Sequence, residues 1–389
     1  MDFNFDEIID RKTTYSAKWS QVHLGSPDML PLWVADMDFK CPPAVIEAVE
    51  QAARHGVYGY CDRMDDYYET FIMWNKDRNR WKIQKDWIVY SPGIVPALNY
   101  AVQSFCAPGD KVIIQPPVYY PFFDVVTNNG CQLVENKLIF ESGRYTMDFD
   151  SLESQLADPK VKALILCNPH NPVGRVWSKD ELTTLGNLCI KHNVLVLSDE
   201  IHSDLVYSGY HHVPFASLSE EFAQNSIVCM APSKTFNLAG LQTSNIIIPN
   251  PVLRQMFFNT IERAGTTDTN LFGIVAAVAA YRGGALWLSQ LLKYLENNMK
   301  FMDQFLHSNL PEVKLIKPEG TYLAWLDCKD AEADYKVLER RIRSKGKVLL
   351  DEGYIFGSGG EGFERINIAC PLPILEEALK RIEHALHHN

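Results

Sequence analysis

The chain has 389 residues, of which 47% are hydrophobic and 22% are charged, and its formal net charge is −11. This composition excludes wholesale disorder, and the length is enough for two or three domains with a large buried core. The acidic balance argues against non-specific binding to nucleic acid or to an anionic membrane, and the longest mostly apolar stretch, residues 271–281, is too short to span a bilayer.

The N-terminus and the cysteines both point to the cytoplasm. The first residues, MDFNFDEIID, are acidic and do not have the pattern of a secretion signal. The nine cysteines include no Cys-x-x-Cys pair, and most lie in apolar runs, as Cys167 and Cys229 do. This usage is typical of reduced, buried thiols, so we expect a cytoplasmic protein without a zinc site.

The pattern along the chain predicts an arm and two domains. Residues 1–45 contain few clear elements and are expected to form an N-terminal arm that packs on the small domain or on a partner. Residues 46–284 alternate between helix-like and strand-like segments, which predicts a large α/β domain with a mostly parallel sheet. The strand candidates are short and nearly continuously apolar, as strands covered on both faces are. They are residues 87–91, 111–115, 161–167, 194–199, 227–231 and 244–249.

Two helices of this region carry a capping pattern at their start. Asp150 with Glu153, and Ser178 with Glu181, place a short polar residue three positions before a glutamate. In a capping box the first side chain accepts from the helix backbone and the glutamate reaches back. We therefore expect helices that begin at both positions.

From residue 285 to 389 the pattern changes to a smaller α+β domain. A long helical stretch at 284–309 leads to strand-like segments that include FERINIA, with helices at about 331–345 and 372–387. The segment 357–362 matches G-x-G-x-x-G, but a strand-like run follows it where a dinucleotide site needs a helix. We therefore do not expect NAD.

Polar groups follow four of the predicted strands, where ligands bind in open α/β sheets. They are residues 92–95, 168–174, 199–202 and 232–234. Each has a plain alternative: a strand–helix turn for residues 91–93, a turn for the Asn-Pro segment, a helix cap or salt-bridge partner for Asp199, and a solvated surface position for Lys234. Four such groups at one edge of one sheet favour a functional site.

These groups resemble those of a known family. The motifs NPHNPVG, DEIH and SKTFNLAGL, in this order, are similar to fold-type I enzymes that use pyridoxal 5'-phosphate (PLP), the aminotransferase class I/II superfamily. Asp199 lies 28 residues after Asn171, and Lys234 lies 35 residues after Asp199, which fits that family. The segments WVADMDF, YGY, PPVYYPFF and DEIHSDL look most like its bacterial cystathionine β-lyase, or C–S lyase, branch.

The resemblance implies a role for each residue that meets the reactive part of the cofactor. Lys234 would attach to PLP through its amine and later take the Cα proton of the substrate as a general base. Asp199 would pair with the pyridinium nitrogen and keep it charged. Asn171 would donate to the phenolic oxygen, and Tyr119 rather than Tyr120 would stack on the ring.

Other residues would hold the phosphate. The backbone amides of Gly93, Ile94 and Val95 would cradle it at a helix start, where the helix dipole favours an anion. Ser233 would add a hydroxyl.

The resemblance also implies a homodimer with a shared active site. Tyr60 would reach the phosphate from the other subunit, with Tyr58 as the alternative. Arg365 would bind the α-carboxylate of an amino-acid substrate with a bidentate pair, and the backbone near Ala35 would lie over that carboxylate.

Two positions depart from the transaminase pattern. Gln242 lies eight residues after Lys234, where many members carry a phosphate-binding arginine. His202 lies three residues after Asp199, where transaminases commonly carry tyrosine. Either a chemical role at the cofactor or a supporting role as a fully hydrogen-bonded histidine is open for His202.

The resemblance to lyases includes this histidine, so we favour β-elimination. The expected enzyme is a PLP-dependent C–S lyase that converts L-cysteine S-conjugates such as cystathionine to a thiol, pyruvate and ammonia. The alternatives are a PLP-dependent aminotransferase and a regulatory protein on the same fold.

Overall fold

The computed structural model describes residues 3–20 and 25–388, which form fifteen strands and a set of helices. The strands are β1 (Leu30–Pro31), β2 (Ile88–Ser91), β3 (Lys111–Ile114), β4 (Gln132–Glu135), β5 (Ile139–Glu141), β6 (Arg144–Thr146), β7 (Val161–Cys167), β8 (Leu195–Asp199), β9 (Ser226–Met230), β10 (Ser244–Ile247), β11 (Lys314–Ile316), β12 (Leu323–Asp327), β13 (Val348–Leu349), β14 (Asp351–Glu352) and β15 (Phe363–Asn367). The α-helices are α1 (Pro43–His55), α2 (Asp65–Asn79), α3 (Ile94–Phe105), α4 (Pro121–Thr127), α5 (Phe149–Leu156), α6 (Lys179–Lys191), α7 (Glu220–Gln224), α8 (Pro232–Thr235), α9 (Pro251–Arg263), α10 (Leu271–Gly283), α11 (Ala285–Asn309), α12 (Tyr335–Arg340) and α13 (Leu372–His387).

The central sheet has seven strands in the order β2-β10-β9-β8-β7-β3-β4. Its strands run parallel except β10, which is antiparallel to both β2 and β9. The α/β fold with a mostly parallel sheet is therefore confirmed. Each predicted strand is present to within two residues at either end, and β4 is an additional strand at the sheet edge.

Both faces of this sheet are covered, which explains the continuous apolar runs. Along β7 and β8, Ile165 and Leu197 belong to one buried cluster, and Leu164 and Val196 belong to another on the opposite face. Successive side chains of a strand point to opposite faces, so a strand between two helical layers needs apolar residues at every position.

One of the two capping predictions is wrong. Helix α6 begins after Ser178, as expected. The Ser178 side chain accepts from Glu181 N, and the Glu181 side chain accepts from Ser178 N. Helix α5, however, begins at Phe149, because the side chain of Asp148 accepts from Ser151 N. Asp150 therefore lies within the first turn, where a negative charge still favours the helix dipole.

A second, four-stranded antiparallel sheet lies in the C-terminal part, in the order β11-β12-β15-β14. The short strand β1 pairs in parallel with β13, so the N-terminal segment contacts this part of the molecule. The division into residues 1–45, 46–284 and 285–389 stays a prediction. Within the described residues, no single helix is long and apolar enough to cross a membrane; α10 and α11 meet that test only as a pair bent by 78°.

Candidate active site

A cavity of about 210 Å³ lies at one edge of the central sheet. All the site residues predicted from the sequence line it, except Tyr60 and Arg365. The lining residues are Ala35, Pro92, Gly93, Ile94, Val95, Pro96, Tyr119, Cys167, Asn171, Asp199, Ile201, His202, Ser233, Lys234, Ala239, Gln242, Thr243 and Ser244.

The sheet topology brings these residues together. Cys167 ends β7 and Asp199 ends β8, and the two are paired in register. Asp199 is also opposite Cys229 of β9, after which the chain turns into the short helix that carries Lys234. Because parallel neighbours end at the same edge, the segments that follow them meet over one cavity.

Asp199 is a buried carboxylate whose desolvation is offset by little hydrogen bonding among the described residues. It is 4% exposed, and among the described residues its side chain accepts one hydrogen bond, from Ile201 N at 3.1 Å. Burial raises the pKa of Asp199 to about 7, against the opposing effects of that hydrogen bond and of Lys234. A cation bound next to this carboxylate would stabilise its charged form.

Lys234 faces the same cavity, and the pKa of its amine is lowered. Its Nζ donates to the Ala35 carbonyl at 2.6 Å, and the Tyr322 hydroxyl donates to the same oxygen at 2.8 Å. Burial lowers the pKa of Lys234 to about 8, although the charge of Asp36 opposes this shift. A substantial fraction of the amine is therefore neutral, and hence nucleophilic, near neutral pH.

His202 is neutral in this environment. Burial lowers its pKa to about 3, and the charges of Lys234 and Arg365 act in the same direction. The ring lies edge-to-face on Tyr322 at 5.9 Å, and its Nδ1 is buried without a hydrogen-bond partner among the described residues. The ring is thus not fully hydrogen-bonded by the described residues, so the supporting role of a fully hydrogen-bonded histidine is not what the structure shows.

An uncapped helix start closes one end of the cavity. Helix α3 begins at Ile94, and no side chain caps it at Gly93. The amides of the first turn have no intrahelical acceptor, and the helix dipole adds positive potential, so this end favours an anion. Gln242 lines the same cavity in a left-handed conformation, and its carbonyl accepts from Tyr90 at 2.9 Å.

Arg365 adjoins the cavity through Asn171. Its Nη1 donates to Asn171 Oδ1 at 3.0 Å, and its Nη2 donates to the Trp33 carbonyl at 2.8 Å and pairs with Asp351. This contact engages the oxygen of the Asn171 amide and not its Nδ2 donor. Asp351 and Tyr322 were not among the residues predicted from the sequence, because neither belongs to a motif that follows a strand of the central sheet.

Tyr60 does not reach the cavity of its own chain. Its side chain is 99% exposed and lines a separate cavity of about 860 Å³. The Tyr58 hydroxyl donates to the Ala53 carbonyl of its own chain at 2.7 Å. A contribution of Tyr60 to the site of a second subunit stays a prediction, as do the individual roles of the cavity residues.

The cavity fits PLP in its charge and chemistry. It combines a buried carboxylate that forms no salt bridge within the described residues, an amine that is partly neutral, and a helix start that favours an anion. These match a protonated ring nitrogen, an aldehyde and a phosphate, respectively. The residues that would hold them are Asp199, Lys234 and the amides after Gly93.

Known proteins are similar to this chain over nearly its whole length. The family model for aminotransferase class I and II matches residues 27–382. Cystathionine beta-lyase PatB of Bacillus subtilis is 46% identical over 385 residues, which cover 98% of this chain and 100% of that protein.

Two solved structures extend the comparison. The PLP-bound putative aminotransferase of Clostridium difficile 630 is 45% identical with a TM-score of 0.97, over 99% of this chain and 100% of that chain. The PLP-bound C-S lyase of Staphylococcus hominis is 35% identical with a TM-score of 0.95, over 100% of this chain and 99% of that chain. Sequence motifs, cavity and full-length similarity lead to one conclusion: the chain belongs to the aminotransferase class I and II family.

Proposed function

We propose that this protein is a PLP-dependent carbon–sulfur lyase that eliminates a thiol from L-cysteine S-conjugates such as cystathionine. The observation that carries the proposal is that the Lys234 amine and the Asp199 carboxylate face one cavity beside an uncapped helix start. The names of the relatives from Bacillus subtilis and Staphylococcus hominis support the same reaction.

The cofactor and the protein have separate tasks. When bound, PLP supplies an electron sink for the negative charge that develops at the substrate Cα. Asp199 would provide the anion that keeps the ring nitrogen protonated, and the amides of Ile94 and Val95, with the Ser233 hydroxyl, would hold the phosphate. Asn171 and Tyr119 would orient the ring.

Lys234 moves the proton. Once the amine is free and neutral, it takes the proton from Cα, for which its lowered pKa suits it. The Cβ–S bond then breaks and the electron pair leaves with the sulfur. Water hydrolyses the remaining three-carbon fragment to pyruvate and ammonia.

The leaving group needs little help from the protein. A thiolate is a stable anion compared with an alkoxide, so no strong acid is required near Cβ. A neutral His202, whose pKa is lowered by burial, is compatible with this requirement. Arg365 and the backbone at Ala35 bind the α-carboxylate and direct the Cα–H bond towards Lys234.

We further propose a cytoplasmic homodimer in which Tyr60 completes the partner's phosphate site. Several large side chains near Tyr60 are exposed in the single chain, including Val57 at 67%, Tyr58 at 60% and Met64 at 73%. A concentration of such residues marks an interaction surface.

The decisive assay supplies cystathionine to the purified, PLP-loaded protein without any 2-oxo acid. We expect free thiol and pyruvate to appear in equal amounts, and we expect Lys234→Ala to abolish both. Turnover that requires a 2-oxo acid would contradict the lyase. It would identify an aminotransferase, the candidate that the similarity to the Clostridium difficile structure favours.

A further inference from the structure

The hydrogens of the Arg365 guanidinium are largely used by the protein itself. The group has five N–H donors, one on Nε and two on each terminal nitrogen. Both hydrogens of Nη2 are engaged, one by the Trp33 carbonyl and one by Asp351, and Nη1 gives one to Asn171. Nε is buried without a partner among the described residues.

A bidentate carboxylate cannot bind Arg365 without displacing one of these partners. The end-on geometry uses Nη1 and Nη2, and the side-on geometry uses Nε and Nη2. Both geometries need a hydrogen of Nη2. The substrate α-carboxylate must therefore replace either the Trp33 carbonyl or Asp351.

The Trp33 carbonyl is the more rigid of the two. It belongs to a backbone segment that Asn367 holds, because Asn367 Nδ2 donates to the Val34 carbonyl at 2.7 Å and to the Asp36 carbonyl at 2.6 Å. Both Asn367 and Arg365 lie on β15, so this segment and the guanidinium are fixed to the same strand.

Asp351 is the partner of Arg365 that we expect a substrate carboxylate to displace. It lies opposite Arg365 on the neighbouring strand β14 and contacts Nη2 through its side chain, whereas Trp33 does so through its backbone carbonyl. Burial raises the pKa of Asp351, against the effect of the arginine charge, so its anion is held less firmly than that of a solvated carboxyl.

We propose that Asp351 is a specificity-determining residue that competes with the substrate α-carboxylate for Arg365. The inference rests on the proposed function, in which Arg365 binds that carboxylate. Asp351 lowers the affinity of the site for carboxylates, including the product pyruvate, and favours ligands whose amine contributes to binding.

The test compares two small amines that differ only in a carboxylate. Glycine has both groups and no leaving group, whereas methylamine lacks the carboxylate. Their dissociation constants are measured from the absorbance of the PLP-loaded protein, for the wild type and for Asp351→Asn. We expect Asp351→Asn to bind glycine about fivefold more tightly and methylamine unchanged. With cystathionine, KM should fall by a similar factor while kcat stays the same.

Glu352→Gln is the matched control. It removes one negative charge from the same strand, but Glu352 lies opposite Glu364, and successive strand residues point to opposite faces. Its glycine affinity should equal that of the wild type. If Asp351→Asn does not fold, Asp351→Ser makes the same comparison.

The outcomes distinguish a failure of the competition at Arg365 from a failure of the proposed function. Glycine binding that is unchanged or weaker in the neutral variant would overturn the competition, since Asp351 would then only orient Arg365. Equal tightening in Glu352→Gln would also overturn it, as a general charge effect. If neither amine changes the absorbance of the wild type, the proposed function itself fails.

Discussion

At the scale of single residues, burial sets the protonation of the candidate site. It raises the pKa of Asp199 to about 7 and lowers that of Lys234 to about 8, so desolvation moves both groups towards neutrality. Each group partly opposes the shift of the other by Coulomb attraction. A cation bound beside Asp199 would restore the carboxylate, and the lowered pKa of Lys234 would suit a general base.

The motif residues were predictable because each lies at the end of its own strand or after it. Asp199 ends β8, the segments after β7 and β9 carry Asn171 and Lys234, and parallel strands end at a common edge. Asp351 and Tyr322 could not be found this way. Their contacts with Arg365 and Ala35 join distant parts of the chain, and no local pattern encodes such contacts.

At the scale of elements, the segment after β1 acts as a bridge. The Ala35 carbonyl contacts Lys234, the neighbouring carbonyls contact Arg365 and Asn367, and Asn237 bonds to the backbone of Met37. Residues 33–37 thereby connect the short helix α8, which carries Lys234, with β15. The sequence motif WVADMDF indicated the family but not this bridging position.

Buried charges anchor this bridge to residues 11–19 of the same N-terminal segment. Lys18 is fully buried, and its Nζ lies 2.6 Å from Asp38 Oδ2. Arg11 and the Trp19 indole also bond to Asp38. Loss of the Lys18 ammonium is costly, because the buried Asp38 carboxylate then keeps only Arg11 and Trp19 to offset its desolvation.

We therefore predict that Lys18→Met lowers the free energy of unfolding by about 3 kcal/mol, measured by urea denaturation. The exposed pair of Lys40 with Glu7 is the control, and Lys40→Met should cost about 0.5 kcal/mol or less. Equal losses in the two variants would contradict the role of the buried cluster.

The start of a helix could be predicted from the sequence in one of the two cases with a capping pattern. Ser178 with Glu181 formed the expected capping box, whereas Asp148 and not Asp150 begins α5. Asp148 and Asp150 lie within the same short segment and are both good caps, so the sequence alone did not decide between them. Packing of Leu152 and Leu156 into the core fixes the helix in its observed position.

At the scale of the whole molecule, the proposed homodimer would bring Tyr60 of a second chain to the site. The tyrosine is 99% exposed and does not line the cavity of its own chain. The alternating elements of the sequence predicted the α/β fold. A contact between two chains, in contrast, produces no periodic pattern or residue spacing in the sequence. The resemblance to the family was therefore the only source of that prediction.

Mixed dimers test the shared site. Lys234→Ala and Tyr60→Ala subunits, each inactive as a homodimer, are unfolded together and refolded. If Tyr60 acts in the partner's site, half of the dimers regain one intact site, and turnover should recover to about a quarter of the wild type. No recovery would contradict the shared site, since a tyrosine acting in its own subunit gives no complete site in any mixed dimer.

The central claim is that Lys234 is the amine that receives PLP in a cavity that keeps it partly neutral. The most direct measurement incubates cofactor-free protein with PLP at a series of pH values, reduces the C=N bond with borohydride and identifies the labelled peptide by mass spectrometry. We predict a label on Lys234, with a capture rate that rises with pH to a midpoint of about 8, since only the neutral amine reacts. A label on another lysine, or equal labelling of Lys234→Ala, would contradict the account.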